Sequence, residues 1–288
     1  MAIGREQFSI MIKLFRNIRQ NLIMKNLPNR QAGKTSRYLK YAIGEIILVV
    51  IGILIALQVN NWNESRKRQL EISKLLYDIE QDLIANYYQA NEVLSFYKKQ
   101  DSIAKLIADN KLTKKDYTDN YSLNYYVASW QNYIPSDKNL NQFVDAEKII
   151  DLKYKPILEA AKSLQFYKDV LYDAYSNLEE NIDNNTNAIS SQLWYVKNDS
   201  ISTSQRLDYM VDSSEYKIIA LRYWIMTQNY YDKIARYRAQ SMATLVTIRR
   251  TYSNYSSSQI KELFLSLEMP SFLKYACQTP EHELKHLR

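Results

Sequence analysis

A chain of 288 residues with 46% hydrophobic and 24% charged side chains is long enough for one or two globular domains and is not disordered as a whole. Its four glycines, Gly4, Gly33, Gly44 and Gly52, leave residues 53–288 without one. That excludes glycine loops that cradle phosphate and the G-x-S-x-G nucleophile turn over that stretch, and it disfavours tight hairpins. The net charge of +7 sits in residues 1–40, where nine basic groups face Glu6 alone, while the remaining 248 residues sum to −1 and have no general attraction for nucleic acid.

The first expected element lies in that basic leader. Phe8, Met11, Leu14, Phe15, Ile18 and Leu22 recur at helical spacing, with Lys13, Arg16, Asn17, Arg19 and Gln20 on other faces. The pattern suits a helix lying on an anionic membrane surface, with packing on a protein partner as the competing reading. Pro28, Gly33 and Ser36 mark a linker into the next element.

Residues 41–59 read YAIGEIILVVIGILIALQV, with Glu45 the sole charge. At 1.5 Å per residue such a helix reaches roughly 28 Å, close to the hydrocarbon thickness of a bilayer. A cleaved signal peptide is disfavoured, because Ile55-Ala56-Leu57-Gln58 offers no small-x-small cleavage site and the region before it is forty residues long. Nine basic residues before the span outweigh Arg66, Lys67, Arg68 and Lys74 after it, which places the N-terminus in the cytoplasm and the rest outside. Gly44, Gly52 and Ala56 align small side chains on one face, with Glu45 beside them. Close approach of a second helix is expected along this stripe, the alternative being a lone span whose Glu45 reaches the headgroups.

The run MIKLFRNIRQ at residues 11–20, followed by YLKYAIGEIILVVIGILIALQVNNWNE at residues 38–64, resembles the opening of an uncharacterised family of Bacteroidota proteins, a domain of unknown function. That resemblance implies a bacterial inner-membrane protein with a single N-terminal span, a helical remainder and no assigned reaction. It covers residues 11–64; beyond them the likeness is only to helix-rich, aromatic-rich sequence. Two departures stand out. Residues 1–10 lie upstream of where such sequences begin, which makes Met11 a candidate natural start, and residues 27–36 look like an insertion.

After the span, Ile72, Leu76, Ile79, Leu83, Tyr87, Ala90, Leu94 and Tyr97 step by three and four residues, near a heptad. With no glycine or proline from residue 53 to 110, the span is expected to continue as a stalk into this helix. A polar break at residues 109–120 follows. Leu123, Tyr126, Val127, Trp130 and Tyr133 predict a short helix stopped by Pro135, and residues 140–151 predict another. Pro156 suits a helix start, and Ile157, Ala161, Leu164, Leu171, Leu178, Ile182 and Ile189 form its apolar face. A loop is expected at residues 196–214, then a capping box from Asp212 to Glu215 and a last long helix with Tyr223, Met226, Tyr230, Ile234, Tyr237, Ser241, Leu245, Ile248 and Tyr252 on one face. The expected architecture is all-α: a leader at 1–40, a transmembrane helix at 41–60 and an antiparallel helical bundle outside the membrane at 61–288.

The one chemical motif, His282-Glu283-Leu284-Lys285-His286, fits the H-E-x-x-H zinc pattern. These are the only histidines, no third ligand follows them, and a tail helix after Pro280 is a poor platform, so no catalytic residue, metal or cofactor is expected. Cys277 is the single cysteine and forms no disulfide within the chain. Twenty-five tyrosines are the compositional oddity, with pairs at 87–88, 125–126 and 230–231 from which one member is expected to face inward and the other outward. Tyr126, Trp130, Tyr223, Tyr230 and Tyr231 are candidate recognition aromatics, against a competing reading of bundle packing with phenol hydroxyls at the rim. The functional expectation is a non-enzymatic envelope protein whose bundle binds another envelope protein or itself. The alternative is a sensory or ligand-binding bundle that signals through a separate partner.

Overall fold

The computed structural model describes residues 34–197 and 200–267, together with Lys13, Arg16, Asn17 and Gln20, which are helical and exposed. The apolar positions of the leader helix, Cys277 and the histidine motif at 282–286 lie outside the described residues. Among the described residues 88% are helical and none is in a strand, so the all-α class is the observed one. The chain divides into two compact units, Met1–Arg68 and Gln69–Arg288, and helix α1 (Lys34–Ala108) contributes to both.

In the first unit, α1 carries the apolar run. From Ala42 it is long and apolar enough to cross a membrane, and none of the described residues covers its apolar run. Ile46, Leu54 and Val59 are all more than half exposed, an arrangement that water disfavours and hydrocarbon does not. Trp62 marks the end of the run, with the Arg66 guanidinium 6.0 Å from its ring centre. No atom approaches within 4 Å of where a Cβ would stand on Gly44 or Gly52, so the small face is open.

In the second unit, the helices follow in chain order: α2 (Lys114–Asp119), α3 (Lys138–Asp145), α4 (Lys155–Ser190), α5 (Leu193–Lys197), α6 (Ser200–Asp212), α7 (Ser214–Thr251) and α8 (Ser257–Ser266), with single 3₁₀ segments at Tyr121–Ala128, Glu147–Ile149 and Leu152–Tyr154. Two of them, α4 and α7, are long, and the outer part of α1 is the third long helix of this unit. Every α1 position from Ile72 to Tyr97 picked out by its spacing is buried, as is the whole α4 set from Ile157 to Ile189. On α7 the apolar face is buried apart from Met226, which packs on the edge of the core, and Tyr252 at the end. Side-chain pairs give the directions. Glu80 meets Arg249, Asn91 meets Arg238 and Asp101 meets Trp224, so α1 and α7 are antiparallel; Ala160 meets Thr244 and Tyr175 meets Tyr230, so α4 and α7 are antiparallel too. Helices α1 and α4 therefore run the same way, and residues 109–154 must return along the bundle between them.

Boundaries depart from expectation in four places. The expected loop at 196–214 contains the thirteen-residue α6, whose serine-rich start masks an apolar side that ends in the buried Met210. Helix α7 is capped by Ser213 and not by Asp212: the Ser213 hydroxyl accepts from the N–H groups of Glu215 and Tyr216. Helix α3 ends at Asp145, with only a 3₁₀ turn after it. The short helix expected to run to Pro135 stops at Ala128, and residues 129–137 have no regular secondary structure.

One buried ion pair joins two of the long helices. Arg249 Nη2 lies 2.7 Å from Glu80 Oε2, and Arg249 Nη1 donates to the Tyr255 hydroxyl at 2.9 Å, just past the left-handed turn residue Asn254. Burial, opposed by Arg249, holds the Glu80 carboxyl above its ordinary value of 4.5. The folded chain thus binds this proton more readily than the unfolded chain, so the group's contribution is full below pH 4.5 and is lost as pH rises through the folded value. We predict that in urea titrations the wild-type midpoint falls, relative to that of Glu80→Gln, as the pH rises above 4.5. Parallel curves for the two proteins would overturn the assignment.

Candidate functional site

An extended chain buried in a helical bundle has no neighbouring strand to take its N–H and C=O groups, and each one left unpaired costs about 1–3 kcal/mol. Residues 129–137 pose that problem. The segment enters after the 3₁₀ turn at Ala128, Ser129 is extended at φ −84° and ψ 132°, and Tyr133 is fully buried. Pro135 reinforces the extended form, because a proline disfavours helical geometry in the residue before it. The segment behaves as a strap in the position that a fourth helix would fill.

Side chains of α1 and α7 hold its backbone, and a side chain of α4 holds the 3₁₀ turn just before it. The Tyr97 hydroxyl of α1 donates to Gln131 O at 2.9 Å and accepts from Gln131 N–H at 3.2 Å. From α7, the Tyr230 hydroxyl accepts from Tyr133 N–H at 2.9 Å, and the Tyr223 hydroxyl donates to Ser129 O. The Asn86 side-chain amide of α1 takes both groups of Ser136 at 2.8 Å each, and Asn185 of α4 donates to Val127 O at 3.0 Å. The strap returns one bond, from the Tyr133 hydroxyl to Asn86 O at 3.1 Å. Burial raises the hydroxyls of Tyr97, Tyr133, Tyr223 and Tyr230 well above the ordinary phenol value, so all four remain protonated donors at neutral pH.

The rings that carry these hydroxyls pack edge to face. Tyr97 lies 5.4 Å from Tyr230, Tyr126 lies 5.0 Å from Tyr223, and Tyr133 lies 5.8 Å from Tyr237, centre to centre. Such geometry sets the positive edge of one ring against the negative face of another and contributes about 0.5–1.5 kcal/mol per pair beyond burial.

The recognition aromatics divide accordingly. Tyr126, Tyr223 and Tyr230 are sealed in the core, which corrects their expected place on a recognition surface. Trp130 is 52% exposed and its ring centre lies 6.4 Å from that of Tyr175, while Tyr231 is half-buried at the edge of the core. Two of the pairs split inside and outside as expected, Tyr87 and Tyr126 being buried while Tyr88 and Tyr125 are about half exposed; in the third, Tyr230 is buried and Tyr231 also packs on the core edge. Gly44, Glu45, Gly52 and Ala56 lie in the other unit, away from this group in sequence. Asn86 and Asn185 escaped the sequence reading, yet each left a signal. Asn86 falls three residues after Leu83 and four before Ala90, and Asn185 falls three after Ile182 and four before Ile189, so each is a polar residue on an apolar stripe that needs a buried partner.

A shallow depression lined by Ile107, Leu112, Tyr117 and Met210 has room for about one water molecule, against the ~300 Å³ or more of an ordinary small-molecule site. Among the described residues no three His, Cys, Asp or Glu side chains converge where a metal ion could sit.

These features define an all-α bundle protein with a tyrosine-anchored strap and one helix able to cross a membrane. The chain belongs to a family of unknown function, DUF6090, whose model matches residues 45–239, a stretch that includes the strap and all of its anchors. No curated protein and no solved structure matches it.

Tyr97→Phe and Tyr230→Phe should each lower the unfolding free energy by about 1–3 kcal/mol, because each strands strap backbone groups in the core. Tyr126→Phe removes a buried hydroxyl that has no hydrogen-bond partner among the described residues and should change stability by no more than about 0.5 kcal/mol. Urea denaturation of the three variants side by side checks the contrast.

Proposed function

We propose that the protein is a non-enzymatic anchor of the bacterial inner membrane, with its leader in the cytoplasm and residues 61–288 in the periplasm, whose bundle binds another envelope protein or a second copy of itself. The observation that supports this most is apolar surface left in contact with water. Phe166 on α4, Ile218, Leu221 and Ile225 on α7, and Trp130 and Ile134 on the strap are exposed over 37% to 64% of their area. On α7 the three aliphatic residues fall at i, i+3 and i+7, a stripe on the face opposite the buried one. Helices that are apolar on both faces signal a partner, and patches of this kind mark interaction sites.

A photoreactive benzoylphenylalanine placed at Phe166, at Ile218 or at Ile134 and irradiated in native membranes tests the reading. Adducts of defined mass from at least one position are expected, and silence at all three would overturn it.

Topology has its own test. In a Cys277→Ser background, Asn184→Cys should react with an impermeant thiol reagent on spheroplasts and Asn26→Cys should not; Asn184 is chosen because it is exposed while its neighbour Asn185 is buried. The reverse labelling would invert the orientation.

Self-association through the span rests on the open small face of Gly44, Gly52 and Ala56, where Glu45 gains a partner in place of lipid. The double substitution Gly52→Leu, Ala56→Leu should reduce cross-linked dimers in native membranes several-fold, while Leu48→Ala should leave most of them. Equal cross-linking of wild type and double variant would exclude the stripe as a contact.

A further inference from the structure

From Ser129 to Ile134 the strap is bonded along one edge only; past Pro135, the Asn86 side chain of α1 takes both backbone groups of Ser136. Ser129 O, both groups of Gln131 and Tyr133 N–H are taken by tyrosine hydroxyls, whereas the backbone N–H and C=O of Trp130, Asn132 and Ile134 make no hydrogen bond among the described residues. In an extended chain both groups of one residue point to the same side and those of the next residue to the other. The alternation therefore gives the strap an inner edge, filled by Tyr97, Tyr223 and Tyr230, and an outer edge open at every second residue, about 6.8 Å apart. Pro135 has no N–H and ends this ladder, which limits it to a short docking site and blocks its extension into a longer sheet.

Two further features adjoin that edge. Trp130 and Ile134 stand out at 52% and 61% exposure, on alternate residues of the same segment. Beside them, on the side of α4 that carries Tyr175, Glu179 and Asp183 follow at i+4 and i+8, both exposed, while the cation on that side, Lys168, is already paired with Asp137. Tyr175 links the two: its ring packs on Trp130, and its hydroxyl donates to Glu179 at 3.2 Å.

We propose that the outer edge of the strap binds an extended, basic segment of a partner protein by strand addition. Its backbone pairs with Trp130, Asn132 and Ile134, apolar side chains rest on Trp130 and Ile134, and its lysines or arginines face Glu179 and Asp183 of α4. A helical partner cannot take this edge, since its own N–H and C=O groups are already used within the helix. An acidic segment would meet the Glu179 and Asp183 carboxylates, with Lys168 already paired to Asp137. This names the partner chemistry for the interaction function proposed above and rests on that reading.

The test uses the full chain in nanodiscs and a fluorescein-labelled peptide of alternating lysine and valine, read by anisotropy. Saturable binding is expected. The same peptide with alternate backbone nitrogens methylated keeps its charge and side chains but loses its donors, and should bind about tenfold or more weakly. A glutamate–valine peptide should not bind, and Trp130→Ala or the pair Glu179→Gln, Asp183→Asn should each weaken the lysine–valine peptide about fivefold or more, with unchanged circular dichroism. Absence of binding, equal binding of the methylated peptide, or indifference to the two protein variants would each overturn the strand-addition site. The photo-cross-linking experiment separates the two levels. Adducts from Phe166 or Ile218 with none from Ile134 would keep the interaction function and remove this site, whereas silence at all three positions would remove both.

Discussion

The structure turns on one constraint: a non-helical segment runs through the interior of a helical bundle, and its backbone must find hydrogen-bond partners there. A helix satisfies its own polar groups and asks only for apolar contact from its neighbours. The strap asks for more. Tyr97, Asn86, Tyr223 and Tyr230 answer from two helices and Asn185 of a third holds the turn before it, so the interior combines apolar packing with a set of fixed polar contacts. Tyrosine suits the task because one side chain brings a large ring for burial and a hydroxyl that both donates and accepts.

The same constraint sets the character of the surface. Filling the inner edge of an extended segment leaves the other edge without partners, so the strap that completes the core also presents backbone groups outward. Its alternating side chains follow suit, with Tyr133 and Pro135 buried and Trp130, Ile134 and Ser136 exposed. Core and candidate docking edge are two sides of one segment, and a change that loosens the tyrosine anchors would alter both. The exposed stripe on α7 and the acidic pair on α4 lie on rigid helices, where their spacing is set by helical geometry.

Membership in a family of unknown function, matched from Glu45 through residue 239, covers the apolar part of α1 and the strap with its anchors. The membership supplies no reaction. What the chain can do is argued from its sites: apolar side chains in water, a half-bonded strap, and a helix long and apolar enough to cross a membrane.

The all-α class, the apolar helix, the three long helices and their buried faces were legible in the sequence, because period, length and hydropathy are properties of neighbouring residues. The buried sets on α1 and α4 follow directly from steps of three and four residues. The inward and outward split of two of the tyrosine pairs was legible for the same reason. Helix ends were less so: Ser213 and Asp212 are both good caps, and only the path of the chain selects between them. The strap was not legible. Leu123, Tyr126, Val127, Trp130 and Tyr133 have helical spacing, and the local preference of residues 129–134 does not forbid a helix. Hydroxyls on α1 and α7, more than thirty and ninety residues away, capture those backbone groups instead, and no local pattern encodes such distant partners. Tyr223 and Tyr230 thus read as surface candidates in one dimension and became core anchors in three. Sequence determines which faces are apolar; only the tertiary structure decides which polar groups must be answered there, because that depends on which chain is packed against them.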